Sequence, residues 1–302
     1  MKAKLFLYSA FFALLTFCNN SKKNDSLNDL NLNGSPKEIE EKIYKAVDKN
    51  GTISKGNFFR PLMNVGLMGQ SFLNEINNAY NLNIICAIVK LELNENRVNK
   101  IFAINNDYED LYELKYENNK LKEIKKTENY KSNNLQLYPK NTSLIKYNYD
   151  DRNRLIEVAE YDKNGDNQRK VIYEYANNSE KIISKTIFEE QIVKEARTYE
   201  HENGFVTESY KDDTFHFSNK IQLNENEKAI SEEDISDKNG FLTLFYYDKF
   251  QNLIKQEQLN KLTKQKTIFE YKYKYDEKNN WTQKISIVNK KPEFIIERKI
   301  IY

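Results

Sequence analysis

Imidazole, thiol and carboxylate chemistry is thinly supplied in this chain of 302 residues, which holds two His and two Cys. His201 and His216 both stand at aromatic positions of alternating, strand-like segments, where a ring packs or meets solvent. No Ser occupies a Gly-x-Ser-x-Gly turn, and no Gly-rich phosphate loop follows a strand pattern. Neighbouring carboxylates occur at Asp212-Asp213 and Glu232-Glu233-Asp234. Adjacent strand residues point to opposite faces, so only Glu232 and Asp234 share one, and nothing beside them suggests a cleft around a glycosidic bond. Asp162 to Asp166 shares the opening spacing of a calcium loop. Its Gly165 falls too early, and Tyr173 stands where a bidentate Glu belongs, so the segment reads as a plain turn. Cys86, inside the apolar run Ile84 to Val89, reads as a buried structural thiol. The expectation is a protein that is not an enzyme, with no catalytic residue, metal or cofactor.

The elements that would position any site are announced by repetition. Asp-Lys-Asn-Gly occurs three times, at Asp48 to Gly51, Asp162 to Gly165 and Asp237 to Gly240. Asp bonds its own downstream backbone, and Asn and Gly tolerate the positive φ of short hairpin loops. A second signature alternates with it: two aromatics one residue apart, an acid, a polar turn and a large apolar residue. It runs from Tyr147 and Tyr149 to Leu155, from Phe245 and Tyr247 to Leu253, and from Tyr273 and Tyr275 to Trp281, with degraded copies near Tyr116, Tyr175 and His201. Recurrence at roughly 30 residues fits two strands and two turns per unit. Within a unit the period is two: Val171, Tyr173 and Tyr175 share a face, while Lys170 and Glu174 face away.

Upstream of residue 144 the pattern loosens, and Asn57 to Leu82 has mixed helical spacing that allows one short helix. Ser35-Pro36-Lys37-Glu38 spells a capping box, yet the segment leads into the first Asp-Lys-Asn-Gly turn. It is read here as a strand.

The N-terminus is a processing signal, with Lys2 and Lys4 ahead of the apolar run Leu5 to Phe17. Leu15-Thr16-Phe17-Cys18 resembles the lipobox of bacterial lipoproteins, which implies lipidation of Cys18. Phe17 departs from the small residue expected there, leaving cleavage after Cys18 as the other reading. The expected organisation is a signal over 1–17, a polar tether over 18–34, a degenerate β-repeat region over 35–143 and regular repeats over 144–302. Positive and negative residues number 47 and 45 and interleave along the chain, a solvated pattern rather than a nucleic-acid footprint.

The Tyr-Asp turns, the Asp276 to Trp281 segment and the last strand together resemble the YD-repeat (Rhs-like) β-hairpin proteins, more narrowly small Bacteroidetes-type lipoproteins carrying such repeats. The resemblance implies an all-β fold, an elongated, curved antiparallel sheet of consecutive hairpins, on an outer-membrane lipoprotein facing the periplasm. Shell and toxin roles of larger members do not transfer to so few repeats. The functional expectation is a non-catalytic scaffold that binds a protein or glycan and touches membrane only through its lipid. Its candidate binding face is Tyr149, Tyr175, Tyr247, Tyr275 and Trp281. The alternatives are an immunity protein against a rival effector and, less favoured, a cell-wall glycan hydrolase.

Overall fold

The computed structural model describes residues 32–58, 86, 88–95, 97–105, 108–131, 137–175, 181–188 and 191–302. Every regular element among them is a strand: β1 (Glu38–Lys49), β2 (Thr52–Phe58), β3 (Ile88–Asn94), β4 (Arg97–Ile104), β5 (Tyr108–Glu117) and β6 (Lys120–Lys131). The chain continues through β7 (Leu137–Tyr149), β8 (Leu155–Tyr161), β9 (Asn167–Tyr175), β10 (Lys181–Phe188), β11 (Gln191–His201), β12 (Gly204–Lys211) and β13 (Thr214–Leu223). It ends with β14 (Ala229–Asp234), β15 (Phe241–Tyr247), β16 (Leu253–Asn260), β17 (Lys266–Tyr275), β18 (Trp281–Val288) and β19 (Lys291–Ile301). The signal, Cys18, most of the tether and nearly all of the segment expected to hold a helix lie outside the described residues.

From β3 onward each strand pairs with the next, and β1 then joins the two ends. On one side β1 pairs with β19, from Glu38↔Ile301 to Lys45↔Phe294. On the other it pairs with β3, from Glu38↔Glu92 to Lys42↔Ile88, and farther along with β2 in a hairpin. With β2 as an appended arm, eighteen strands form a closed antiparallel barrel.

That closure corrects the expected architecture. The all-β reading stands, but the elongated open sheet of YD-type repeats, and with it the Rhs-like identification, does not fit a sheet whose first and last strands are hydrogen-bonded. The physical reason lies in the hairpins. Register slips beside the turn at Glu92/Leu93, Lys115/Tyr116, Asn148/Tyr149, Gln222/Leu223 and Tyr246/Tyr247. Each extra residue bends its strand and raises local twist, and repetition accumulates the bend into closure. A bulge is a property of register, which residue types do not announce.

β1 is a strand despite its capping box, because Ile39 and Ile43 are buried while Glu38, Glu40 and Lys42 alternate with them on the more exposed side. Burial of a two-period apolar face outweighs a local helix signal.

Two compact units divide the chain. One holds residues up to Thr142 together with Tyr271–Tyr302; the other is Ser143–Glu270. The segment after Tyr271, expected to continue the regular repeats, belongs with the N-terminal strands because β18 and β19 carry the chain back to β1. In the first unit Ile39, Leu91 and Ile101 form one buried cross-strand row, with Ile124 and Ile296 also fully buried. Within the same unit Glu41 and Arg298 face each other across β1 and β19, with guanidinium-to-carboxylate distances of 2.7 and 2.8 Å. The Arg298 guanidinium also lies 3.5 Å from the Trp281 ring centre. In the second unit the equivalent row is Tyr147, Val158 and Val171.

The three identical tetrapeptides fold in three ways. At Asp48 to Gly51 both Asn50 and Gly51 take positive φ in a two-residue loop. At Asp162 to Gly165 only Gly165 does, and Asp162 Oδ1 accepts from the amides of Asn164 and Asp166. Gly240 has no positive φ; it is needed because a Cβ there would stand 2.7 Å from Asp234 Oδ2. The Asp162 pattern recurs at Asp150, Asn224, Asp248 and Asp276, with Asn153, Glu227, Gln251 and Asn279 at the positive-φ site.

Removing one member of the buried Glu41–Arg298 pair strands its partner's charge. Arg298→Met alone is expected to lower unfolding free energy by about 3–5 kcal/mol, whereas Glu41→Leu with Arg298→Met recovers most of that loss. Urea titration of the two variants checks this, and equal losses would show that the pair is not an electrostatic unit.

Candidate functional site

The aromatics expected to form an exposed binding face belong to the core side of the sheet. Tyr147 and Tyr173 are buried, and Tyr149 and Tyr175 follow them two residues on along the same face. The Tyr175 hydroxyl donates to the carbonyl of Leu155 at 2.7 Å, and the Tyr247 hydroxyl to that of Ala229 at 2.8 Å. Tyr116 does the same to Val98. Each accepting residue is buried within two residues of the start of its strand, so these phenols tie down the strand entering from a turn. Burial pushes the Tyr247 phenol up to about 12. Trp281 is only 8% exposed, packed with Ile43, Phe294 and Ile296 and flanked by Tyr273 and Tyr275. Tyr149, Tyr175 and Tyr247 belong to one unit and Tyr275 and Trp281 to the other.

The opposite sheet face is charged. In the first unit Lys90 pairs with Glu38 and Lys42 with Glu40. In the second, Lys170 pairs with Glu157, Lys185 with Glu174, and Glu257 with both Lys255 and Lys266. Exposed apolar side chains interrupt this background. Ile230 on β14, Tyr246 on β15 and Ile254 on β16 are 38–41% exposed on three neighbouring strands. Phe241-Leu242-Thr243-Leu244-Phe245-Tyr246-Tyr247 is apolar at both alternations, a signal in the sequence that the aromatic reading passed over.

The core face of the second unit also carries a polar strip. Register sets Thr198 opposite Thr207, Thr207 opposite Asn219, and Glu232 opposite Ile221 and Thr243. The two threonine hydroxyls are 3.0 Å apart, and Asn219 Nδ2 donates to Glu232 Oε1 at 3.1 Å. Burial alone raises the Glu232 carboxyl to about 7. Asp234, two residues on, is committed to a turn: its Oδ1 accepts from the amides of Ser236 and Asp237 and from the Ser236 hydroxyl. The carboxylates weighed as a hydrolytic pair therefore have separate tasks. Among the described residues no group of three His, Cys, Asp or Glu side chains converges as a metal centre. Cys86 is buried, and desolvation pushes its thiol up to about 12, which suppresses the nucleophilic thiolate. His216 is exposed, with its ring 5.4 Å from that of Phe217, and His201 is exposed at the end of β11.

No family model matches the chain, and no curated protein does. Solved structures give distant likenesses. A porin-like protein from Bacteroides uniformis aligns with 89% of this chain and 99% of its own, at 8% identity and TM-score 0.33. A porin-like protein from Bacteroides vulgatus aligns with 70% and 93%, at 9% identity and TM-score 0.26. The Tc holotoxin pore of Photorhabdus luminescens aligns with 70% of this chain and 14% of its own, at 10% identity and TM-score 0.27. Likenesses at these scores carry no argument about this protein, and the fold rests on its own strand pairing.

Glu232 gives the candidate strip a pH signature. Its carboxyl titrates near 4.5 when unfolded and near 7 when folded, so between those values the folded state holds the extra proton. Stability from this group is therefore highest below pH 4.5, declines as pH rises through the window, and levels off above 7. Glu232→Gln is expected to melt with wild type at pH 4 and above it at pH 8. Thermal melts of the two proteins at both pH values check this, and parallel curves would refute the assignment.

Proposed function

We propose that this protein is a non-catalytic barrel scaffold of the cell envelope, held to a membrane by a lipid on Cys18 and binding a partner protein through the outward face of β14 to β16. The observation that carries the binding role is the exposure of Ile230, Tyr246 and Ile254 on three neighbouring strands whose surroundings carry ion pairs. Exposed apolar clusters rimmed by charge are the usual mark of a protein-binding surface. Here the rim is supplied by Lys255, Glu257 and Glu233.

The same polarity argues for a solvated barrel. A strand sheet in lipid needs apolar side chains facing outward, and a lysine or arginine at mid-depth costs about 2–4 kcal/mol there. Ile39, Leu91, Ile101, Val158 and Ile296 are instead buried, and the face opposite such residues carries Lys–Glu pairs. Membrane attachment by acyl chains on Cys18 is compatible with that polarity, because several chains at about 0.8 kcal/mol per methylene anchor a solvated domain. The periplasmic side of the outer membrane is the location this reading favours.

Two experiments test the two halves. Cys18→Ala should shift the protein from the membrane pellet to the soluble fraction; unchanged pelleting would remove the lipid anchor. A photo-crosslinking residue at position 246, installed in native cells, should give a discrete adduct that disappears when Ile230 and Ile254 become Ser. The exposed Lys272 position should give none. Equal labelling at the two positions would dismiss this face.

A further inference from the structure

The chain ahead of β1 is gripped by a slot on the first unit that the turn pattern does not require. In the sister turns the fifth residue reaches back to its own Asp: Arg154 Nε donates to Asp150 Oδ2, and Asn252 Nδ2 to Asp248 Oδ2. Asn280 holds the same position after Asp276, is 2% exposed, and turns away. Its Oδ1 accepts from the amide of Asn33 at 2.7 Å, and its Nδ2 donates to the Asn33 carbonyl at 2.9 Å and to the Tyr302 hydroxyl. Both bonds to Asn33 reach main-chain atoms, the exchange by which one strand residue pairs with another, so the grip does not read a side chain. Asp276 Oδ2 takes the Tyr302 hydroxyl instead, at 2.7 Å. Gly34 follows at a φ of +83°, and a Cβ there would stand 3.2 Å from both Lys278 Cδ and the Tyr302 ring. The Lys278 ammonium lies 3.3 Å from the centre of that ring, so slot and chain are fitted to each other.

The grip lies immediately ahead of the seam. Lys37 donates its amide to the Ile301 carbonyl at 2.7 Å and accepts from the Leu93 amide at 2.8 Å, and Glu38 then faces Ile301 on one side and Glu92 on the other. These are the first pairs on both edges of β1, and the end of a strand is where a ladder frays. Movement of the chain ahead of β1 would load them one at a time, the direction in which paired strands resist least. We propose that Asn280, Tyr302 and Gly34 form a latch for the closing strand. The slot holds the main chain at Asn33 and Gly34 and so keeps the ends of the β1–β19 and β1–β3 ladders shut. Where a lipid on Cys18 ties the chain to a membrane, the latch also takes the load of that tether. The load-bearing role rests on the anchored reading; the latch itself does not.

Amide hydrogen exchange of the full chain in detergent tests the latch. Asn280→Ala removes both bonds to Asn33 and should speed exchange over residues 33–41 roughly tenfold or more, while residues 108–131 of β5 and β6 exchange as in wild type. Gly34→Ala crowds the slot with Asn280 intact and should do the same; position 34 lies outside every strand, so the sheet is expected to fold. Acceleration confined to residues 33 and 34 would show that the grip does not guard the seam and would overturn the proposal. Equal acceleration in β5 and β6 would reveal general destabilisation and overturn it too, as would wild-type exchange in Gly34→Ala. Detergent leaves the chain ahead of the slot unloaded, so these outcomes are independent of the Cys18→Ala fractionation that tests the anchor.

Discussion

Everything in this barrel depends on β1 being hydrogen-bonded on both sides. It accepts β19 along one edge and β3 along the other, and so joins the two ends of a long meander. The junction joins residues 257 positions apart at Glu41 and Arg298, so the entropy of bringing them together must be offset locally. The offset is concentrated there. Ile39, Ile43 and Ile296 are buried at the seam, and the ion pair beside them is fully enclosed and stacked on Trp281. A buried pair of this kind contributes little net stability compared with apolar residues, but it penalises every misregistered pairing, because a one-residue slip strands both charges.

Given that seam, curvature must be supplied evenly around the sheet, and the turns supply it. An Asp or Asn side chain folds back over its own loop, one residue takes positive φ, and a bulge follows at the base of the next strand. The tyrosine hydroxyls then hold the entering strand where the ladder is disturbed. Tyr175 and Tyr247, which resemble part of a ligand platform in the sequence, are thereby consumed as structural ties, and the other face carries ion pairs together with exposed apolar side chains such as Ile230, Tyr246 and Ile254.

The contrast between the two faces also explains how the site was read. Tyr149, Tyr175, Tyr247, Tyr275 and Trp281 were visible as a repeated row, but parity alone cannot say which face meets solvent. Burial decides it, and burial is set by what lies opposite the sheet. Asn219 and Glu232 were invisible as a pair because they lie on separate strands, and only the β13–β14 register sets Asn219 diagonally against Glu232. Tyr246 was overlooked for the opposite reason, since a strand apolar at both alternations looks simply buried.

What the amino-acid order determined by itself is local: strands from two-period alternation, turns from Asp, Asn and Gly, and a chain poor in catalytic groups. These follow from interactions within a few residues, where side-chain type sets backbone preference directly. Closure, the return of Tyr271–Tyr302 to the first unit, the three different conformations of one tetrapeptide, and the meeting of Asn219 with Glu232 were decided by tertiary structure. Each depends on register between strands, and register is chosen by the summed burial and curvature of the whole sheet rather than by any segment within it.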